Sequence, residues 1–540
     1  MDAQYLYSFL LALILSLLLI PVLIKHSAWL HLVDNPAGNA RKIHSSAMPR
    51  SGGLGIILAA SAALLYILPL NASLFSFILA CLVIISFGLL DDVVELKPIQ
   101  KLGGQALGVG IAMAGGMVIT DIPLLGGCPG WLCHGLTFVF VLGVINGVNF
   151  SDGMDGLAAG TTLMALLLIF ILAVGSDNTQ VAAIALAISA ALMGFLRFNT
   201  HPASIFMGDA GSQFLGFVVA WLAITVSQAE TSPVTTLMPL LILGIPVMDI
   251  LQVVPVRINK KLPLPGPDKE HFHHQIAKLG FYQYEVVAII YVLQALLLGT
   301  AYLLRYTSDV VVFEFYAVYV IAILGVLYWA NVSGWRVRDW QEDDHHDRRN
   351  RLLRRVSVVH PYSGKFFGMV VSVILAAAAI LSDAMPTSLV YAGLLWAAVL
   401  LCIKLFSRNQ WPLALGRLAT YTVIILLMYG VTASVHSTLY NGLLDGGLLV
   451  FSLLLLVAMR TTRREYFWLT TQDLLVLFFI VILVPQLPFE LGGDLPTGTL
   501  IFRTCVLLYA CEYVLARGDQ ARERMTSTAI IALFLIGVHL

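Results

Sequence analysis

The stretch Asn146-Gly-Val-Asn149-Phe-Ser-Asp152-Gly153-Met-Asp155-Gly156 carries two amides and two carboxylates, each three residues after the last. It follows an apolar run ending near Val148 and precedes another beginning at Leu157. Polar side chains this dense at the end of a hydrocarbon-facing segment are expensive and need partners. Oxygen and amide ligands together suit a hard cation and the phosphates it holds. Gly153 and Gly156 let backbone approach a ligand closely. Asp152 or Asp155 can instead cap the helix that starts here, which explains one acid but not four polar residues in a row of threes.

Four other polar stretches could join it. Asp91 and Asp92 are adjacent, with Lys97 and Lys101 following. Two neighbouring carboxylates repel, and a cation, a proton or a basic neighbour must relieve them. Lys101 can be that neighbour; otherwise the pair is a base or organises a metal. Further on, Arg197-Phe-Asn199-Thr-His201 leads to Phe206-Met-Gly208-Asp209-Ala-Gly211-Ser212. Asp209 can cap a helix, and can hold a cation while the helix N-terminus faces phosphate. Phe206 is either core or a stacking platform for a base. Near the amino terminus, Asp34-Asn-Pro precedes Arg41, Lys42, His44, Arg50 and the pair Gly52-Gly53. A cytoplasmic anchor explains those charges but not the glycines or the histidine; an anionic phosphate substrate would use all of them. The fourth is Pro267-Asp268-Lys-Glu-His271-Phe-His273-His274. Its spacing matches neither the helical HExxH pattern nor a structural zinc site, and histidines donating to phosphate oxygens fit the neighbours better.

The elements that must position these groups are membrane helices. Of 540 residues, 59% are hydrophobic and 11% charged, and the mean hydropathy is +0.88. Apolar runs of about 17–25 residues are the signature of transmembrane helices. They fall at 4–24, 53–70, 74–90, 104–120, 135–150, 157–175, 180–198, 212–228, 235–253, 284–304 and 311–330. A second set follows at 366–383, 387–405, 417–436, 443–459, 467–485, 499–516 and 527–540. The fold class is therefore all-α: a polytopic membrane bundle of about eleven spans, then about seven more. The first run lacks a basic leader and a small-residue cleavage site, and reads as a span. With the amino terminus outside, only Arg305 and Arg503 of the 31 lysines and arginines fall on the outer side. Basic residues stay cytoplasmic, so every polar stretch above faces the cytoplasm. Asp249 is the one acid set back within a span, near the inner end of the ninth.

The 31 basic residues balance 31 acids, which suggests no nucleic-acid partner. Of six cysteines, most lie in apolar runs, while Cys128 and Cys133 share an outward loop where a disulfide could form. No GxxxxGK[ST] stretch is present among these motifs, which argues against a P-loop pump.

The chain resembles the polyprenyl-phosphate N-acetylhexosamine-1-phosphate transferases, integral membrane enzymes. The resemblance rests on Asp34-Asn-Pro, Arg41-Lys42, His44, Pro49-Arg50, Gly52-Gly53, Asp91-Asp92, Asn146-x-x-Asn149-x-x-Asp152-Gly-x-Asp155-Gly, Asn199, Phe206-Met-Gly-Asp209-x-Gly-Ser212 and His271-x-His273-His274. These span about residues 1–330. The loop around Asp268 looks more like the branch using UDP-N-acetylglucosamine or a close relative than the branch taking the UDP-muramoyl-pentapeptide. The resemblance implies that undecaprenyl phosphate attacks the sugar-proximal phosphate of a UDP-sugar, giving a lipid diphospho-sugar and UMP. It implies Mg²⁺, with Mn²⁺ as a substitute, held by Asp209 with Asn149. Asp91 and Asp92 would orient or deprotonate the lipid phosphate. Asn199 and Phe206 would hold the uracil, with Asp152 and Asp155 completing the nucleotide pocket. Lys101, His271, His273 and His274 would neutralise the diphosphate. It also implies a bacterial inner membrane and a role in starting a cell-envelope polysaccharide; a homodimer is among the assemblies left open.

Family members usually stop near residue 331. Here a charged stretch over 331–365, with Glu342-Asp-Asp-His-His-Asp347 beside Arg348, Arg349, Arg351, Arg354 and Arg355, reads as a cytoplasmic linker or a site for anionic lipid. Residues 366–540 form a second membrane domain without a motif that names its role. The rival class is a carrier, flippase or scaffold for lipid-linked sugars. Carriers place charges near the bilayer midplane and show inverted repeats. Here the acids gather at one face.

Overall fold

In a computed structural model the described residues are 3–34, 48–65, 72–120, 129–228, 234–261, 271–338 and 360–380, a helix at 438–460, and scattered positions within 390–432 and 499–535. Arg41, Lys42, His44, Cys128, Asp268 and the charged run 342–355 lie outside them. The chain divides into two compact units, one built on residues 2–340 and one within 341–540.

The first unit is helical because backbone in hydrocarbon must satisfy its own polar groups. Its elements are α1 (Ala3–His26), the two-stranded antiparallel hairpin β1 (Val33–Asp34) and β2 (Met48–Pro49), α2 (Gly52–Leu64), α3 (Ala72–Val94), α4 (Pro98–Ala114) and α5 (Gly130–Ser151). There follow α6 (Leu157–Gly175), α7 (Thr179–Asn199), α8 (Gly208–Gln228), α9 (Met238–Ile242), α10 (Gly244–Asn259), α11 (Phe272–Lys278), α12 (Gln283–Leu304) and α13 (Asp309–Ser333). Among the described residues, seven helices are long and apolar enough to cross a membrane: most of α3, then α5, α6, α7, α8, α12 and α13. They stand against an expected count of about eighteen, part of which falls on residues outside those described.

The expected span 235–253 is two helices. Pro246 has no N–H, and its ring would press on the carbonyl four residues earlier, at Ile242, which weakens a continuous helix there, and here the helix breaks. α9 ends at Ile242, and the carbonyl so released accepts from Gln294 Nε2 at 2.9 Å. α10 then runs on to Asn259, which places Asp249 in its second turn and not near the end of the span.

α8 is the central helix. It packs against α2, α3, α5 and α6, and 94% of its most apolar stretch is buried, against 17% for α13 at the lipid-facing edge. Small residues let its backbone come close to its neighbours. A Cβ on Gly88 would lie 2.5 Å from the Cα of Ala210, and one on Gly216 would lie 2.7 Å from the Cα of Ile145. The first turn of α8, which carries Asp209, thus lies tight against α3, and its third turn tight against α5.

The second unit contains α14 (His360–Ile380) and α15 (Thr438–Arg460). Val371, Leu375, Leu427, Phe451 and Val506 belong to its apolar core. Arg503, read above as an outward cation, is buried, with its Nε 2.7 Å from Asp445 Oδ1 and its Nη2 2.9 Å from Asn441 Oδ1.

Candidate active site

The N-terminus of α8 leaves backbone N–H groups without helical partners. They are taken by a carboxylate from another helix. Asp92, two residues before the end of α3, accepts from the N–H of Asp209 at 2.8 Å and of Ala210 at 3.0 Å. Gly208 enters the helix with φ 78°, a conformation that costs a side chain dearly, and a Cβ there would lie 2.5 Å from the Arg50 carbonyl. The N–H of Gly208 is given to Asp152.

With its backbone held this way, Asp209 directs its side chain to Lys101 Nζ, which it contacts closely. The same Nζ lies 2.9 Å from Asp91 Oδ2. Asp91 Oδ1 accepts from the N–H of Leu96 at 2.8 Å, closing the turn between α3 and α4. Of the readings of Lys101, the salt bridge to Asp91 is present, and a second runs to Asp209. Asn149 joins from α5, its Oδ1 accepting from Ser212 Oγ at 2.6 Å. Asp91, Asp92, Asn149, Asp152, Asp209 and Lys101 therefore form one cluster at the ends of four helices. Burial, then the nearby carboxylates of Asp209 and Asp92, raises Asp152 well above the usual carboxylate range. Negative charge exceeds what Lys101 and Arg50 offset, and a divalent cation would fit that excess. Among the described residues no three His, Cys, Asp or Glu side chains converge as a complete metal cage. Mg²⁺ needs none, since it is usually held by one or two carboxylates with substrate phosphates and water.

A second cluster lies along the following turn. Asp155 Oδ2 meets His201 Nδ1 at 2.7 Å and the N–H of Ala203 at 3.1 Å. The hydrogen bond from Asp155 raises His201 above its usual value. Asn199, expected to hold a base, commits both ends of its amide to the chain. Its Oδ1 accepts from the N–H of Gly156 at 3.0 Å, and its Nδ2 donates to the Ile205 carbonyl at 2.8 Å. It braces the pocket wall and holds Gly156 in its left-handed turn, where Tyr291 OH also donates to the Gly156 carbonyl at 2.6 Å. Phe206 is half-buried; its N–H donates to the Pro49 carbonyl at 2.7 Å, which ties it to the β2 strand.

The histidines close the other side. His271 stacks on Phe150 with ring centroids 4.3 Å apart, and His273 lies over Gly153, its Nε2 3.5 Å from where a Cβ would stand. His274 packs on His273 at 4.2 Å. Burial, helped by His274 and His271, pushes His273 down to about 3, so it is neutral at physiological pH. The residues 149–156 thus touch all three groups.

Two residues outside the sequence-derived set, Gln105 and Gln213, complete the arrangement together with Asn146. Gln105, Asn146 and Gln213 lie one turn from Lys101, Asn149 and Asp209, each on the same helix as its counterpart. Asn146 Nδ2 donates to Gln105 Oε1 at 2.9 Å, and Gln105 Nε2 donates to Gln213 Oε1 at 3.1 Å. This buried amide layer ties α4, α5 and α8 beneath the acids. The signal was available: a glutamine four residues after Lys101 and another four after Asp209, each inside an apolar run. Gln105→Leu, which orphans the Gln213 acceptor, is expected to lower stability by about 1–2 kcal/mol. A lowered thermal-unfolding midpoint in detergent checks this; an unchanged midpoint would assign the layer no structural weight. Asp249, which the sequence showed only as a lone acid within a span, is taken up below.

A model of glycosyl transferase family 4 matches residues 74–227, which include every acid of the first two clusters. The chain is 32% identical over 292 residues to a Bacillus subtilis strain 168 protein named "probable undecaprenyl-phosphate N-acetylglucosaminyl 1-phosphate transferase", over 53% of this chain and 81% of that one. It is 29% identical over 337 residues to the undecaprenyl-phosphate alpha-N-acetylglucosaminyl 1-phosphate transferase of Escherichia coli O157:H7, over 60% and 89% of the two. It is 31% identical over 288 residues to the decaprenyl-phosphate N-acetylglucosaminephosphotransferase of Mycobacterium leprae, over 46% and 72%.

Proposed function

The chain belongs to the polyprenyl-phosphate N-acetylhexosamine-1-phosphate transferases of glycosyl transferase family 4, and from that membership we propose that it passes an N-acetylhexosamine-1-phosphate from a UDP-sugar to undecaprenyl phosphate, on the cytoplasmic side of a bacterial inner membrane. UDP-N-acetylglucosamine is the donor the relatives' names favour. One observation carries the reading: four carboxylates, a lysine and an amide oxygen converge at the N-terminus of the central helix.

A phosphate oxygen of the lipid attacks the sugar-side phosphorus of the UDP-sugar. The bond from that phosphorus to the oxygen shared with UMP breaks, and UMP leaves with the bonding pair. Such a displacement is catalysed by positioning and by charge neutralisation, not by covalent chemistry of the protein. Asp209 and Asn149 would hold Mg²⁺, or Mn²⁺ in its place, which supplies charge neutralisation on the diphosphate oxygens when bound. Lys101 is placed to move from its acids onto a phosphate oxygen. Asp91 orients or deprotonates the lipid phosphate. Asp92, tied to the α8 backbone, sets the angle at which Asp209 is presented. Phe206, Asp152 and Asp155 shape the nucleotide pocket that Asn199 braces. His271, His273 and His274 face the diphosphate, and an anion bound beside His273 would raise its affinity for a proton. The lipid tail stays in hydrocarbon while its phosphate meets the site at the interface, which accounts for a site on helix ends.

Mass spectrometry of the extracted lipid tests the reading. The expected product carries two phosphates and one N-acetylhexosamine, with UMP as the soluble product. A lipid with a single phosphate and released UDP would mean transfer of the sugar alone, and would overturn it.

A further inference from the structure

His271 and His273 each bury an Nε2 without a hydrogen-bond partner among the described residues, on parallel rings 6.0 Å apart. The other nitrogen of His271 does have one: Nδ1 lies 2.8 Å from Asp249 Oδ2. The second oxygen, Asp249 Oδ1, accepts from the N–H of Phe272 at 2.7 Å, at the start of α11. Both residues are buried, Asp249 to 4% exposure and His271 to 4%. One carboxylate from the apolar face of α10 thus holds both the ring and the backbone of the histidine segment. An acid inside a membrane bundle needs a reason to be there.

Resting on the transfer reaction above, we infer that Asp249 is a positioning residue that fixes the tautomer of His271 and turns its Nε2 toward the diphosphate. A carboxylate only accepts hydrogen bonds, so the proton must sit on Nδ1. Phe150 on one face, and the Asp249 carboxylate that the Phe272 N–H holds in place, keep the ring from flipping. Nε2 is then the ring atom left for a ligand. A proton taken up there becomes a donor to a phosphate oxygen, with the Asp249 charge countering it across the ring. Asp249 itself touches no substrate. It acts as the orienting acid of a histidine pair, in a position where the sequence offered only a lone acid in an apolar run.

Asp249→Asn is the test, because its Oδ1 can still take the Phe272 N–H while its amide presents a donor to Nδ1. The wrong tautomer at a comparable pair lowers turnover by up to about 10⁴-fold. Here we expect kcat to fall roughly 10²–10⁴-fold with KM for UDP-N-acetylglucosamine changed less than about threefold and the thermal midpoint kept. A structural role alone would move the midpoint and leave kcat per folded molecule intact. Nitrogen NMR of the wild-type protein, with His271 assigned by the signal lost in His271→Gln, reads the tautomer without any turnover. A proton on Nδ1 is expected; a proton on Nε2, or wild-type kcat in Asp249→Asn, overturns the inference. Wild-type protein that releases no UMP but carries the Nδ1 proton would sink the transfer reading and leave the pairing standing.

Discussion

Asp209→Asn is expected to abolish turnover, lowering kcat by about 10³-fold or more, while the protein folds as before. Removing a single charge-stabilising group from a preorganised site typically costs 10²–10³-fold, and loss of the metal ligand proposed above would remove more than one interaction. The fold should survive because the α8 cap uses the backbone N–H of Asp209, not its side chain. The amide also keeps the carboxylate's shape beside Lys101. Initial rates of UMP release and a thermal-unfolding midpoint measure the two halves of this statement. Wild-type-like turnover in Mg²⁺ would remove Asp209 from the metal site.

Gly53→Val is expected to have the opposite signature, loss of the fold. A Cβ at Gly53 would lie 2.4 Å from the Cα of Gly211 and 2.6 Å from its nitrogen. It would also lie 2.7 Å from the Met207 carbonyl, which Gly53 N–H already bonds at 2.7 Å. All three obstacles are backbone, so no rotamer change can make room. Forcing extra methyl groups into packed interiors costs about 1–3 kcal/mol, and more where backbone must move. The site moves too, because α2 would push the first turn of α8, with Asp209, away from Lys101. Little monodisperse protein should elute from size-exclusion in detergent. Gly110→Ala is the control, since nothing lies within 4 Å of a Cβ there, and it should behave as wild type. A Gly53→Val protein with the wild-type midpoint would show that this helix contact is not tight.

The sequence carried the membrane bundle because hydrocarbon permits few backbone solutions: apolar runs at 157–175 and 180–198 became α6 and α7 almost to the residue. It carried the hub of the site because four polar groups three apart at a helix end can hardly be explained by packing. It did not carry the break at Leu243, although Pro246 was in view, because proline marks a fault without saying whether the helix bends or ends. Asn199 shows a different limit. Its residue type suits a base and a backbone brace equally, and only the distances to Gly156 and Ile205 reveal the brace. Asp249 was legible as an anomaly, but its partner lies 22 residues away across a loop. Pairings of that kind depend on tertiary approach, which no local pattern records.

The most direct test of the central claim is UMP release by the purified protein in detergent, with undecaprenyl phosphate, Mg²⁺ and UDP-N-acetylglucosamine. Reactions lacking lipid, or containing EDTA, run beside it. The account predicts UMP only where lipid, nucleotide sugar and divalent cation are present together. No UMP from folded protein, with this or any other UDP-N-acetylhexosamine, would contradict it. So would UMP that forms without lipid or in excess EDTA.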